Sequence, residues 1–443
     1  MSFEWSNALI DEIKAPIQSS IAIGPFGSRM KSDCYVDDGI RVVRGTNISS
    51  GRTFSGDFVF ITPEKAKELG GANLQPNDLV FPHRGSIGEV GVVPNDGEKY
   101  VISSSLMKLT CDPSRALPLF VYYFFKSDIG RFELLKNSSQ VGTPGIGQPL
   151  TSLKSISIPL PPLREQKEIA ELLGSIDDRI SLLRETNATL EAIAQALFKS
   201  WFVDFDPVHA KQQGRAPEGM DEATAALFPD SFEESELGLV PRGWQVGSLI
   251  NFAVLNPESW TTKKHPDTLT YIDLASAKDN EITVVTEYSF DAAPSRARRV
   301  LRDGDTIVGT VRPGNRSFAF IHQPASNLTA STGFAVLRPR KIENTEYVYL
   351  TATQDSSIDH LAHVADGGAY PAVRPEIVVG IQCILPCDSV IKAFHDLAAP
   401  LLASVAENQC LAKTLATLRD SLLPRLISGQ LRLPEAEALL ECV

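Results

Sequence analysis

Two long apolar stripes of helical period stand out along this chain, each following a stretch of strand-like alternation. Between Pro159 and Phe202, Ile169, Ile176, Leu183, Leu190 and Leu197 recur every seven residues. Leu173, Ile180, Asn187, Ala194 and Trp201 recur between them. The steps alternate four and three, which is the period of a coiled-coil seam. Pro161 and Pro162 suit the first turn of such a helix, where the missing amide would be unpaired anyway. At about 40 residues and 1.5 Å per residue, the helix spans roughly 60 Å. A second stripe runs through Phe394, Leu397, Leu401, Ser404, Asn408, Leu411, Leu415, Leu418 and Leu422. Asp388 is its candidate N-cap, and Pro424 is its expected stop.

The stretches before the two stripes read alike. DLVFPHRGSIGEVGVVP, YVISSSLMKLTCD, DTIVGTVRPGNRSFAFIH and STGFAVLRPRK alternate or run apolar between turn residues, the mark of strands; LFVYYFFKSDIGRFELL is helical. LQPNDLVFPHRGSIG matches LRDGDTIVGTVRPGN, FVYYF matches YVYLT, and Pro144 and Pro159 match Pro371 and Pro386, all at one offset of 227 residues. The chain therefore reads as a duplicated unit, a globular domain followed by a long helix. The expected fold class is α+β, with two similar mixed α/β domains joined by a two-helix antiparallel coiled coil in a pseudo-twofold arrangement. The expected boundaries are 1–158 and 241–387 for the domains, 159–206 and 388–430 for the helices, 207–240 for a surface linker and 431–443 for a tail. Setting Asn187 opposite Asn408 puts Trp201 opposite Phe394 and Leu173 opposite Leu422. In that register the two asparagines either bond to each other and fix the pairing or are merely tolerated near the helix edge.

Composition changes this picture little. The net charge of −12 argues against a nucleic-acid ligand until its distribution is read. Residues 159–240 carry 7 basic and 16 acidic side chains, whereas 1–158 carry 16 of each and 241–387 carry 14 and 15. Either globular region is thus free to present a basic face. The 6 cysteines are scattered, which favours reduced thiols over a zinc site. No unbroken run of 18 apolar residues suggests a membrane span, and MSFEWSNALIDEIK lacks the pattern of a signal peptide. A cytoplasmic protein is expected.

Catalytic signatures are missing: there is no G-x-S-x-G, P-loop, H-E-x-x-H or paired C-x-x-C. PNDGEK has the wrong spacing for a nuclease cluster. Basic loops rich in turn residues are present instead. The first domain offers Ser28, Arg29 and Lys31; Arg41, Arg44 and Asn47; and His83, Arg84 and Ser86. The second offers Lys263 and Lys264; Arg296, Arg298 and Arg299; and Arg312, Asn315 and Arg316. Arginine and lysine pair with guanine O6/N7 or phosphate, and asparagine with adenine. Scattered arginines that only solvate a face are the bland alternative. The HRG and RPGNR turns, at matching places in the two copies, point to function.

PLPPLREQKEIAELLGSIDDRI, LFKSWFVDFDPV, GIRVVRGTNI, DLVFPHRGSIG and TLRDSLLPRLISGQLRL together resemble the specificity subunits of type I restriction-modification systems. The second domain resembles them only in outline, with YIDLASAKD where a GTNI-like stretch is expected. The resemblance implies a non-catalytic subunit with two target-recognition domains, each reading half of a split double-stranded DNA site. It implies two modification (methyltransferase) subunits docked on the coiled coil, and recruited restriction subunits. It also implies that S-adenosylmethionine, ATP and Mg are used by those partners, with no cofactor or metal in this chain. A coiled-coil adaptor binding proteins rather than DNA is the rival reading.

Overall fold

A computed structural model describes residues 5–26, 29–48, 51–139, 142–235 and 238–440. The chain divides into two compact units, 1–182 with 412–443 and 183–411. Each contains one globular domain and part of both long helices, α1 (Leu163–Phe202) and α2 (Asp388–Ile427).

In the first unit, strands Ile21–Ile23, Leu106–Leu109, Leu79–Pro82 and Gly91–Val92 form an antiparallel sheet in that order. Leu79, Val80 and Phe81 are all fully buried, so this strand reads as a continuous apolar run rather than an alternation. In the second unit, Ala253–Leu255, Phe334–Pro339, Thr306–Gly309 and Phe318–Phe320 repeat the order. The buried polar centre repeats too. Asp78 pairs with Lys108 at 3.0 Å, and Asp305, 227 residues on, pairs with Arg338 at 2.8 Å.

A second sheet in each unit contains one parallel pairing, Ile40–Val43 with Tyr100–Ile102 in one and Thr268–Ile272 with Leu328–Ser331 in the other. Its edges differ. Tyr35–Val36 is added beside Val59–Ile61 in the first unit, whereas Ala297–Val300 is added beside Leu328–Ser331 in the second. Finally, the entering strand of each domain, Ser6–Leu9 or Gln245–Ser248, pairs antiparallel with its leaving strand, Ser157–Leu160 or Gln382–Leu385.

Helix α1 is anchored at its start by Gln166, which is fully buried. Its side chain accepts from Leu117 N at 2.8 Å and donates to the carbonyls of Arg115 and Pro161. The glutamine of the REQ motif thus clamps the helix to the first domain.

The two helices run antiparallel within each unit. In the second, Asn408 Nδ2 donates to Asn187 Oδ1 at 2.9 Å, Asn187 Nδ2 donates to Val405 O at 3.0 Å, and Trp201 and Phe394 lie 5.8 Å apart between ring centroids. In the first, Leu173 and Leu422 are fully buried, and Arg419 donates to Asp177 at 2.6 Å. The two asparagines bond to each other, and the expected pairing holds for Asn187 with Asn408 and for Trp201 with Phe394.

Four expectations are corrected. The stripe on α2 is displaced by one residue along part of its length: Leu397 is 48% exposed, whereas Ala398, Leu402 and Val405 are buried. The small Ala398 on the contact line lets the helices approach, which a count of leucines does not register. The helix also passes through Pro400 and Pro424 and begins at Asp388, which makes that residue part of the first turn rather than its cap. Each proline removes one helical hydrogen bond, and the packed apolar face outweighs that loss. The stretch 207–240 is not a surface linker. It contains helices Asp206–Gln212 and Glu222–Ala226 and a hairpin, and buries Val208, Phe228 and Val240 in the second unit's core. Helix α2 is long and apolar enough to cross a membrane by length and composition, although no unbroken run of apolar residues marks it.

Candidate nucleic-acid interface

Strand Leu79–Pro82 delivers the HRG turn of the first unit. Gly85 has φ +81°, a left-handed conformation glycine adopts without strain, and its N–H donates to Pro144 O at 2.9 Å. His83 is 2% exposed, with Nε2 3.0 Å from Ser104 O. Burial lowers its pKa and keeps the ring neutral. His83 therefore braces the turn from inside, while Arg84 and Ser86 face solvent.

The other first-unit candidates divide in the same way. Arg29 and Lys31 are exposed, and Arg29 Nη2 donates to Glu68 O at 3.2 Å. Ser28 lies outside the described residues. Arg41 is spent internally: it donates to the Tyr100 hydroxyl at 3.2 Å, contacts Glu98 at 3.4 Å and lies over the Phe58 and Tyr100 rings. The Tyr100 hydrogen bond heads the causes that raise its pKa. Asn47 is buried, accepts from Arg44 N and donates to the carbonyls of Ser55 and Asp57. Arg44 donates to Asp57 O as well. The GTN segment is thus a folded-in brace, and Asn47 has no amide donor left for adenine.

The second unit places its RPGNR turn on the same plan. Arg312 occupies the position equivalent to Gly85, with φ +48°, and its N–H donates to Pro371 O at 2.7 Å. Arg316 is held by Asp279 and by Asp355 at 2.7 Å, and the Asp279 hydrogen bond is the main cause raising its pKa. It is a clamp for the turn. Arg312, Asn315 and the segment 366–370 remain exposed.

A second exposed group sits beside the sheet that contains Ala297–Val300. Lys263 and Lys264 lie in an exposed turn. His265 stacks on Phe290 at 3.7 Å, and Arg298 lies 4.9 Å over the same ring. Arg296 Nε donates to the Tyr271 hydroxyl at 3.0 Å. Arg299 is partly buried, and burial lowers its pKa, so it belongs to the interior side. Phe290 and Tyr271 are buried, so these rings hold His265, Arg298 and Arg296 in place, and Lys263, Lys264 and Arg296 are the exposed cations of the group. The sequence analysis named these cations but not His265, which stacks on Phe290, nor Tyr370, which lies beneath the Arg312 guanidinium; aromatics flanking the basic loops were the available signal. Among the described residues no group of three or more His, Cys, Asp or Glu side chains could hold a metal ion.

Comparison with known proteins agrees with this plan. Residues 27–192 match the family described as the type I restriction modification DNA specificity domain. The HindI specificity subunit of Haemophilus influenzae is 25% identical, covering 87% of this chain and 94% of its own length. The MjaIX specificity subunit of Methanocaldococcus jannaschii is 22% identical, covering 85% and 82%. The crystal structure of the type I restriction-modification S subunit from M. genitalium, 15% identical, superposes over 95% of this chain and 96% of its own with a TM-score of 0.56, a likeness of fold.

Proposed function

We propose, from the premise that this chain belongs to the specificity subunits of type I restriction-modification systems, that each globular domain reads one half of a split double-stranded DNA site. The carrying observation is the repeat itself: two domains of one plan, each presenting an exposed basic turn at an equivalent place, Arg84 with Ser86 and Arg312 with Asn315. Base edges in the major groove supply specificity, and phosphates supply much of the affinity. Helices α1 and α2 dock two modification subunits, which methylate adenine with S-adenosylmethionine, and restriction subunits that use ATP and Mg join that assembly. Catalysis belongs to those partners. The near-neutral domains bind DNA weakly alone, and the partners closing around the duplex add positive charge. An adaptor that binds only proteins leaves the repeated basic turns without a purpose.

Long-read sequencing of methylated adenines, in cells carrying this chain and its modification partner, tests the reading. A split, asymmetric site is expected. Methylation without such a site overturns it.

A further inference from the structure

The position after the strand Thr306–Gly309 poses a specific question. Gly85 and Arg312 are 227 residues apart, share a left-handed backbone and make the same hydrogen bond to a proline carbonyl. Glycine suits that conformation; a side chain there is strained. The second copy nevertheless carries the longest of the basic side chains, and strain of this kind concentrates at functional positions.

The surroundings of Arg312 show what the side chain is prepared for. Its Nη2 donates to Ala369 O at 2.9 Å. Its guanidinium lies 4.6 Å over the ring of Tyr370, which is 70% exposed. Tyr370 stands on a hairpin closed by Asp366 and Ala372 and turned by Gly367 and Gly368, both of positive φ. Arg316, four residues on, is held by two carboxylates, whereas Arg312 makes no ion pair among the described residues. A stacked, carbonyl-tethered guanidinium presents its remaining donors in a fixed plane. A fixed planar fork matches the paired O6 and N7 acceptors of guanine in the major groove as well as phosphate oxygens, and only the base contact depends on N7.

We propose that Arg312 and Tyr370 form one reading head for a guanine in the half-site read by the second domain, with Arg312 contacting the base and Tyr370 positioning it. This rests on the split-site reading above, and the test separates the two. The full chain in complex with its modification subunit is titrated with duplexes carrying the methylated site, in which each second-half guanine is replaced in turn by 7-deazaguanine, which lacks the N7 acceptor. For the wild type, one such replacement should weaken binding about tenfold. Arg312→Lys keeps the charge but loses the fork, and should bind that duplex and the unmodified one alike. Tyr370→Ala should lose most of the discrimination, and Tyr370→Phe should retain it. A split site with no guanine in that half, or with none whose replacement separates wild type from Arg312→Lys, overturns the reading head and leaves the split-site reading standing. Absence of any split site removes both.

Discussion

At the scale of single residues, burial separates the basic side chains that brace a turn from those left exposed and proposed to meet DNA. Arg84 projects from a turn held by the backbone N–H groups of His83, Gly85 and Ile87, which donate to the carbonyls of Ser105, Pro144 and Gly85. Arg84→Ala should therefore weaken binding or relax one half-site without lowering the unfolding midpoint; unchanged affinity and site preference in a gel shift would reject the assignment. Asn47→Ala should do the reverse. It leaves the Ser55 and Asp57 carbonyls short of a buried donor, at a cost of about 1–3 kcal/mol, read by urea unfolding. Gln166→Ala should cost a similar amount, since it removes the three hydrogen bonds of a fully buried side chain at the start of α1. The sequence made the GTN, HRG and REQ residues visible as motifs. It could not say which of them point inward, because a polar side chain that satisfies buried carbonyls has the same letter as one that meets DNA.

At the scale of elements, the helix pair and its attachments govern stability. The seven-residue period made α1 legible almost residue by residue. On α2 the small residues Ala398 and Ala412 occupy buried positions, and a pattern weighted by leucine places the contact line one residue off. The fold of 207–240 was hidden for a related reason: glycine, proline and acidic residues mask a few well-placed apolar ones such as Val208 and Phe228. Glu191 on α1 adds a pH dependence. It accepts from Asn280 Nδ2 at 2.6 Å, and burial raises its carboxyl pKa above the usual value of 4.5. A raised folded-state pKa means the native state holds its proton more tightly than the unfolded chain. Its stabilising effect is present at low pH and is lost as pH rises through the folded value. Glu191→Gln should flatten the pH profile of stability above pH 4.5 and raise the unfolding midpoint at pH 7; an unchanged profile in denaturant titrations would count against this coupling.

At the scale of the whole molecule, the duplication is the informative feature. It was legible because glycines, prolines and a buried aspartate keep one spacing through both copies, Asp78 with Asp305 and Pro144 with Pro371. The outer strands of the second sheets differ, so that part of each domain could not be copied across from the other by counting. Helices α1 and α2 are the elements that pass through both units. Inserting one heptad into each, so that the Asn187–Asn408 pairing is kept, should change the preferred gap between half-sites in the methylation pattern. An unaltered gap would show that the helices do not set it.

The antiparallel pairing of each domain's first and last strands brings the way in and the way out side by side. Every basic residue proposed to meet DNA lies between those two strands. The covalent entrance and exit of each domain thus coincide, and the helices that follow are joined to it by packing as well as by the chain, through Gln166 in the first unit and through the shared core of Phe202, Phe394 and Tyr347 in the second.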